Sequence, residues 1–300
     1  MKLITAAFLV FGFFTTAWPQ NSVEEDSSSQ SSVDSPLAQS LSNDLFNGAV
    51  VKAGQKLYKQ AIQDFTQDMQ RLSPGGWFWI QELNWRATCY HEDGQYDAEI
   101  ADLTEILWFR YRDDYDSDRV GRWALFNRGV AYRMKGDYDD AIVDLTNFIA
   151  KMPDIAPAYN ERAAAYESKD QNALALADLN KAILLQPADL VLRVNRATLE
   201  LAQFDHQAAL RDASKALHLA DKETDKAWAY ACRAAAFAQA GDFERAIRDV
   251  NAAVALDPKF ATAYSLRAAV KELMGQSSEA KSDKEKAKQL DSDSYQLVVR

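Results

Sequence analysis

Few residues in this sequence have the type and spacing that catalysis needs. The three histidines, His91, His206 and His218, share no motif with a nucleophile or with a second metal ligand. The sequence contains no H-E-x-x-H or G-x-S-x-G segment and no glycine-rich phosphate loop. His91 opens the polar run His91-Glu92-Asp93, but Gly94 follows directly, which is typical of a helix end and its turn. We therefore predict no catalytic residue and a chain that is not an enzyme.

Metal and redox chemistry have equally little support. Cys89 and Cys232 are too few for a disulfide framework, and neither belongs to a C-x-x-C motif or a Cys/His cluster. Four aspartates lie between positions 113 and 118, but the glycine and terminal glutamate of a calcium-binding loop are absent there. We predict no metal site and no cofactor, and we expect both cysteines to be small buried thiols.

Composition excludes a wholly disordered chain and argues against a nucleic-acid binder. The chain has 300 residues, of which 48% are hydrophobic, so it has enough apolar side chains for a sizeable core. Its formal net charge is −10. A phosphate backbone would be repelled, so we predict no nucleic-acid partner.

The first 17 residues have the pattern of a secretory signal peptide: Lys2, an apolar run from Leu3 to Phe14, and then Thr15-Thr16-Ala17. The apolar run is shorter than the roughly 20 residues that span a bilayer. We predict a secreted or periplasmic protein, and membrane contact only if this segment stays uncleaved as an anchor. Residues 18–42 are acidic and rich in serine, and we predict that they form a disordered linker.

The remaining chain repeats one pattern of residue types. A small residue is followed by an aromatic residue, a glycine, a second aromatic residue and an alanine. In residues 122–155 these are Gly129, Tyr132, Gly136, Tyr138 and Ala141. Successive units begin at positions 122, 156, 190, 227 and 261, so the spacing is 34 residues with one interval of 37. The pattern of each unit predicts two short amphipathic helices joined by a tight turn. One such helix pair could not bury its apolar face alone, so neighbouring pairs must stack.

This pattern resembles the tetratricopeptide repeat (TPR) family. The resemblance implies an all-α fold: an α-solenoid in which about six or seven antiparallel helix pairs stack into a superhelix. It covers residues 43–300. The implied repeats are 43–75, 80–113, 122–155, 156–189, 190–223, 227–260 and 261–294.

A charge pattern follows the same period. Arginine precedes the small residue of the first helix, and aspartate recurs in the second helix. The arginines are Arg86, Arg128, Arg162, Arg196, Arg233 and Arg267, and the aspartates are Asp64, Asp102, Asp144, Asp178, Asp212, Asp249 and Asp283. Because the planar arginine fork matches a carboxylate, we predict a ladder of Arg–Asp pairs.

The resemblance also implies a place for a partner, since the first helices of such repeats line a concave groove. The residues it assigns to the groove are Trp123, Phe126, Val130, Met134, Asn160, Val191, Val194 and Trp228. Such an apolar strip suits a protein or peptide segment, extended or helical. The alternative is that the chain's own segments cover it. We predict a non-enzymatic interaction scaffold or assembly factor of the cell envelope. The alternative function is an accessory subunit that binds a glycan or small molecule for an envelope enzyme.

Overall fold

The computed structural model describes residues 36–112 and 119–298, and these ranges contain fourteen α-helices and no strand. The helices are α1 (Pro36–Gly54), α2 (Tyr58–Met69), α3 (Trp77–Glu92), α4 (Tyr96–Arg112), α5 (Arg119–Lys135), α6 (Tyr138–Lys151), α7 (Ala156–Ser168), α8 (Asn172–Leu185), α9 (Leu190–Ala202), α10 (His206–Leu219), α11 (Glu223–Gln239), α12 (Phe243–Leu256), α13 (Ala261–Leu273) and α14 (Ser277–Val298). An N-terminal unit ends at Lys169, and a C-terminal unit begins at Asp170.

Tight turns join the two helices of each repeat, and every turn needs one residue with positive φ. Gly94, Gly136, Gly241 and Gly275 supply it, as the sequence predicts. Glycine adopts this left-handed conformation without a Cβ clash. Lys56, Asp170 and Phe204 hold the same turn position with φ of 61°, 56° and 62°. These three turns therefore carry backbone strain that the glycine turns avoid.

In the N-terminal unit, α1 with α2, α3 with α4, and α5 with α6 form adjacent pairs. The first helices also contact one another, α1 with α3 and α5 with α7. The core centres on α3 to α6 and includes Leu83, Ile106, Leu145 and Phe148. Gly129 on α5 lies so close to α6 that a Cβ there would be 2.8 Å from Leu145 Cγ. Small residues at this position set how closely the helices approach.

In the C-terminal unit, alanines bring the helices together. Helices α9 and α10, α11 and α12, and α13 and α14 pair, and α9, α11 and α13 pack in succession. On α11 the buried residues are seven alanines and one cysteine: Ala227, Ala229, Ala231, Cys232, Ala234, Ala235, Ala236 and Ala238. Larger residues such as Leu266 and Val250 fill the spaces between them. Each unit is thus a set of stacked helix pairs, and the predicted all-α fold class is confirmed.

The predicted Arg–Asp ladder is present within both units. In each pair the arginine Nε and Nη2 donate to the two carboxylate oxygens of an aspartate 16 residues later, over 2.5–2.9 Å. The pairs are Arg86–Asp102, Arg128–Asp144, Arg196–Asp212, Arg233–Asp249 and Arg267–Asp283. The arginine Nη1 often reaches the preceding repeat: Arg128 donates to Thr104 over 3.0 Å. The ladder therefore ties helix pairs both internally and to one another.

The structure differs from the sequence-based predictions at the linker and at Asp64. Helix α1 begins at Pro36, inside the segment predicted as linker, and proline is favoured at a first helical position. The predicted signal peptide, the rest of that linker and the aspartates at 113–118 lie outside the described residues. Asp64 was expected in the ladder, but its partner is Lys52, because Gly48 occupies the position of the missing arginine.

Within the described ranges, no helix has the length and apolarity needed to cross a membrane. The same ranges hold no group of three or more His, Cys, Asp or Glu side chains placed to bind a metal ion.

Candidate interaction surface

The predicted groove residues of the N-terminal unit start from an aromatic cluster on α5. The Trp123 ring lies 5.5 Å from the Phe126 ring and 5.3 Å from the Phe148 ring on α6. Trp123 is half-buried, whereas Phe126 and Val130 are only 3% and 5% exposed. Met134, one helical turn beyond Val130, is 42% exposed. Trp123 and Met134 are therefore the α5 members of the predicted set that a partner could touch directly.

Polar contacts hold the neighbouring first helix α7 against α5. Arg133 Nε donates to Glu161 Oε2 over 2.7 Å, and Glu161 is 3% exposed. Asn160 beside it is 1% exposed. Arg133 Nη2 is buried without a hydrogen-bond partner. Asn160 is thus too deeply buried for a partner to touch, and the charged side chains next to Met134 along α5 are Arg133 and Lys135.

In the C-terminal unit, the predicted set lies on α9 and α11. Val194 is fully buried, in a cluster with Ala216 and Ala229. Val191 and Trp228 are half-buried, near the beginnings of their helices. Gln239, at the end of α11, donates from Nε2 to the Leu201 carbonyl over 2.9 Å and so ties α11 to α9. Val191 and Trp228 are the members that retain surface here.

A buried carboxylate lies next to the first-helix end of the 80–113 repeat. Glu99 is 0% exposed and stands where this family pattern has a small residue. Its Oε2 lies 3.0 Å from His91 Nδ1, and the His91 ring meets Tyr96 edge-on. Burial raises the pKa of the Glu99 carboxyl, and the hydrogen bond with His91 partly offsets that rise. His91 is thus a structural partner of Glu99, in agreement with the helix-end interpretation.

A second buried acid lies between α2 and α3. Asp68 and Glu82 are 0% and 1% exposed and share a hydrogen bond. Burial and the Asp68 carboxyl together raise the pKa of Glu82 to about 9. Glu82 therefore keeps its proton at neutral pH, because a second buried anion in contact with Asp68 would be strongly repelled.

Comparison with known proteins agrees with this geometry. Residues 156–189 match the family model described as tetratricopeptide repeat. Human tetratricopeptide repeat protein 13 is 31% identical over 131 residues, which cover 42% of this chain and 14% of that protein. A tetratricopeptide repeat protein from Parabacteroides merdae has a TM-score of 0.59 at 20% identity, covering 69% of this chain and 78% of its own.

A further solved structure is the C-terminal part of a TPR repeat-containing protein from Cytophaga hutchinsonii. Its TM-score is also 0.59 at 19% identity, and the match covers 82% of this chain and 92% of that one. The chain has the tetratricopeptide-repeat fold. The chain spans only 14% of the length of the human relative.

The TPR pattern did not single out one apolar group in the N-terminal unit. Trp77, Phe78 and Trp108 are 36%, 48% and 56% exposed. Trp108 lies next to Phe109, whose ring is 4.7 Å from Trp108 and 5.2 Å from the buried Trp79. The high tryptophan content of this stretch was visible in the sequence, but which rings remain exposed depends on how α3 meets α4.

Proposed function

We propose that this TPR protein is a non-enzymatic scaffold or assembly factor that binds a protein segment on the faces of its first helices. The observation that carries the proposal is that partly exposed apolar side chains lie on the same first helices as fully buried ones. On α5, Trp123 packs on the buried Phe126, and Met134 is exposed one helical turn after the buried Val130. A few apolar anchors of this kind contribute most of the binding energy in many interfaces.

The C-terminal unit offers anchors of the same type on its own first helices. Trp228 and Val191 keep part of their surface beside fully buried neighbours such as Val194. Tryptophan combines a large apolar ring with one N–H donor, which suits a peptide backbone as well as an apolar side chain. A segment bound here would be recognised by a few apolar contacts plus backbone hydrogen bonds.

The test is a binding measurement with peptides selected from a random display library. Met134→Ala and Trp228→Ala should weaken the selected peptides by about tenfold or more. Trp108→Ala is the control, because Trp108 is 56% exposed and therefore accessible, but lies outside the predicted groove set. Trp123→Ala is a poorer probe, since it would also disrupt the ring contacts with Phe126 and Phe148.

Equal losses at Trp108 and Trp228, or no loss at Met134 and Trp228, would contradict the proposal. The alternative role, an accessory subunit that binds a glycan or small molecule, predicts a different result. Cell-wall fragments would then change the tryptophan fluorescence of the wild type, and no peptide would be selected.

We further propose that the chain is exported and acts in the cell envelope, on the basis of Lys2, the apolar run from Leu3 to Phe14 and the small residues that end at Ala17. Mass spectrometry of the fractionated protein tests this. A mature chain that starts after Ala17 in the envelope fraction is expected. An intact chain in the membrane fraction would indicate an anchor instead, and an intact chain in the cytosol would refute export.

A further inference from the structure

The repeat at 190–223 lacks the aromatic rings that flank the ladder arginine elsewhere. In the C-terminal unit, Arg233 lies 5.5 Å from the Tyr230 ring, three residues before it, and 5.9 Å from the Phe237 ring, four residues after it. The equivalent neighbours of Arg196 are Arg193 and Glu200. Two apolar, stacking side chains are thus replaced by one cation and one acid.

This substitution leaves Glu200 in a long ion pair with Arg196 and without a hydrogen bond to any cation. Arg196 donates from Nε and Nη2 to Asp212 over 2.5 and 2.8 Å, and Arg193 Nη1 donates to the same carboxylate over 3.3 Å. Arg193 Nη2 donates to the Pro187 carbonyl over 3.0 Å. Glu200 Oε1 lies 3.8 Å from Arg196 Nε, beyond hydrogen-bond distance. The two guanidinium groups on α9 are therefore engaged by Asp212.

The Glu200 carboxyl is also poorly hydrated. Its side chain is 14% exposed, and Oε2 is buried without a hydrogen-bond partner. The charged and titratable groups around it are Arg193 and Arg196 on α9, Asp205 in the turn, Arg211 and Asp212 on α10, and Cys232 on α11. Burial, followed by the Asp212 charge, raises the pKa of Glu200 to about 7.

Glu200 lies directly before the strained turn between α9 and α10. Its backbone carbonyl accepts the amides of Gln203 over 3.1 Å and Asp205 over 2.9 Å. Between these residues Phe204 has a φ of 62°, where Gly241 serves the neighbouring repeat. The acid without a hydrogen-bonded cation and the non-glycine turn thus belong to the same few residues, so backbone strain and a carboxyl that is costly to ionise occur together here.

We propose that Glu200 is a proton-sensing latch of the α9–α10 turn. A neutral carboxyl is compatible with the buried position and keeps the turn closed. An ionised carboxylate requires water at Oε2 and favours the state in which the turn opens. The inference concerns the C-terminal unit alone and does not depend on what the first helices bind.

The direction follows from proton linkage. The closed turn holds the Glu200 proton more tightly than the open turn, where the carboxyl has its ordinary pKa. Opening therefore becomes easier as the pH rises from the ordinary glutamate pKa through the value in the closed turn, and it changes no further above that value.

Hydrogen–deuterium exchange of the full chain between about pH 5.5 and 8 tests the latch, with rates corrected for intrinsic chemistry. In the wild type, the opening equilibrium of the amides at 203–212 should rise roughly tenfold across this range. Glu200→Gln keeps the shape but cannot ionise, so its opening should change less than about twofold. The amides at 240–249 in the neighbouring repeat are the internal control, because Phe237 replaces the acid there.

Glu200→Phe introduces the ring that Phe237 provides in the neighbouring repeat and should remove the pH dependence in the same way. The latch is wrong if the wild type and Glu200→Gln show the same pH profile at 203–212. It is also wrong if Glu200→Gln opens more readily than the wild type at the higher pH, because ionised Glu200 would then be stabilised by Arg193 or Arg196.

Discussion

Removing one ladder arginine should weaken the N-terminal unit by an amount that its geometry sets. Arg128 makes two charge-assisted hydrogen bonds to Asp144, over 2.7 and 2.9 Å, and one to Thr104 over 3.0 Å. Asp144 keeps only 5% of its side chain exposed, so water cannot replace the lost donors well. In Arg128→Ala, both Asp144 oxygens lose their guanidinium partner.

The expected cost is about 2–4 kcal/mol, between that of an exposed ion pair and that of a fully buried one. It corresponds to a fall in melting temperature of roughly 5–10 °C. Arg128→Lys keeps the charge but not the fork, and should lose about half as much. The matched control is Arg71→Ala at an exposed arginine in the same unit, with a change within about 0.5 kcal/mol.

Urea and thermal denaturation of the purified chain measure these differences. The double variant Arg128→Ala/Asp144→Ala should cost less than the sum of the single variants, because the orphaned carboxylate is then removed. If Arg128→Ala and Arg71→Ala are indistinguishable, the ladder contributes nothing to stability and this reasoning is refuted.

Further predictions concern the strained turn and the buried acids. Phe204→Gly should stabilise the chain by about 1 kcal/mol, because glycine adopts the left-handed conformation at φ 62° without strain. Phe204→Ala keeps a Cβ and should give no gain. Equal gains from both variants in denaturation curves would contradict this prediction. Glu82→Gln should become more stable relative to the wild type as the pH rises from about 4.5 to about 9, because the folded wild type must keep the Glu82 proton in contact with Asp68. Above that range the difference in unfolding free energy should be constant. A difference that does not change with pH in urea titrations would contradict a buried, protonated Glu82.

The sequence was sufficient to predict the fold because the repeat period indicates where each helix ends and the next begins. Gly136 and Gly241 lie at positive φ where the pattern requires a left-handed residue, and the 16-residue spacing from Arg128 to Asp144 places both on facing helices. These features are local or repeat in register, so a single sequence displays them several times.

The sequence was less informative about the surface. The family frame assigns Phe126, Val130 and Val194 to the groove, but these side chains are at most 5% exposed, because their exposure depends on how the next helix packs. The contact of Glu82 with Asp68, and the capture of Arg193 and Arg196 by Asp212 rather than by Glu200, arise from side chains that meet only in three dimensions. No periodic signal marks such meetings, since each occurs once.

Site-specific photo-crosslinking in living cells tests the central claim most directly. A photoreactive residue is placed at Met134, at Trp228 and at Val143, which is 57% exposed on a second helix. We expect Met134 and Trp228 each to give a discrete protein adduct and Val143 to give none. Adducts from Val143 alone, or no adduct from either first-helix position, would contradict a partner bound on the first helices.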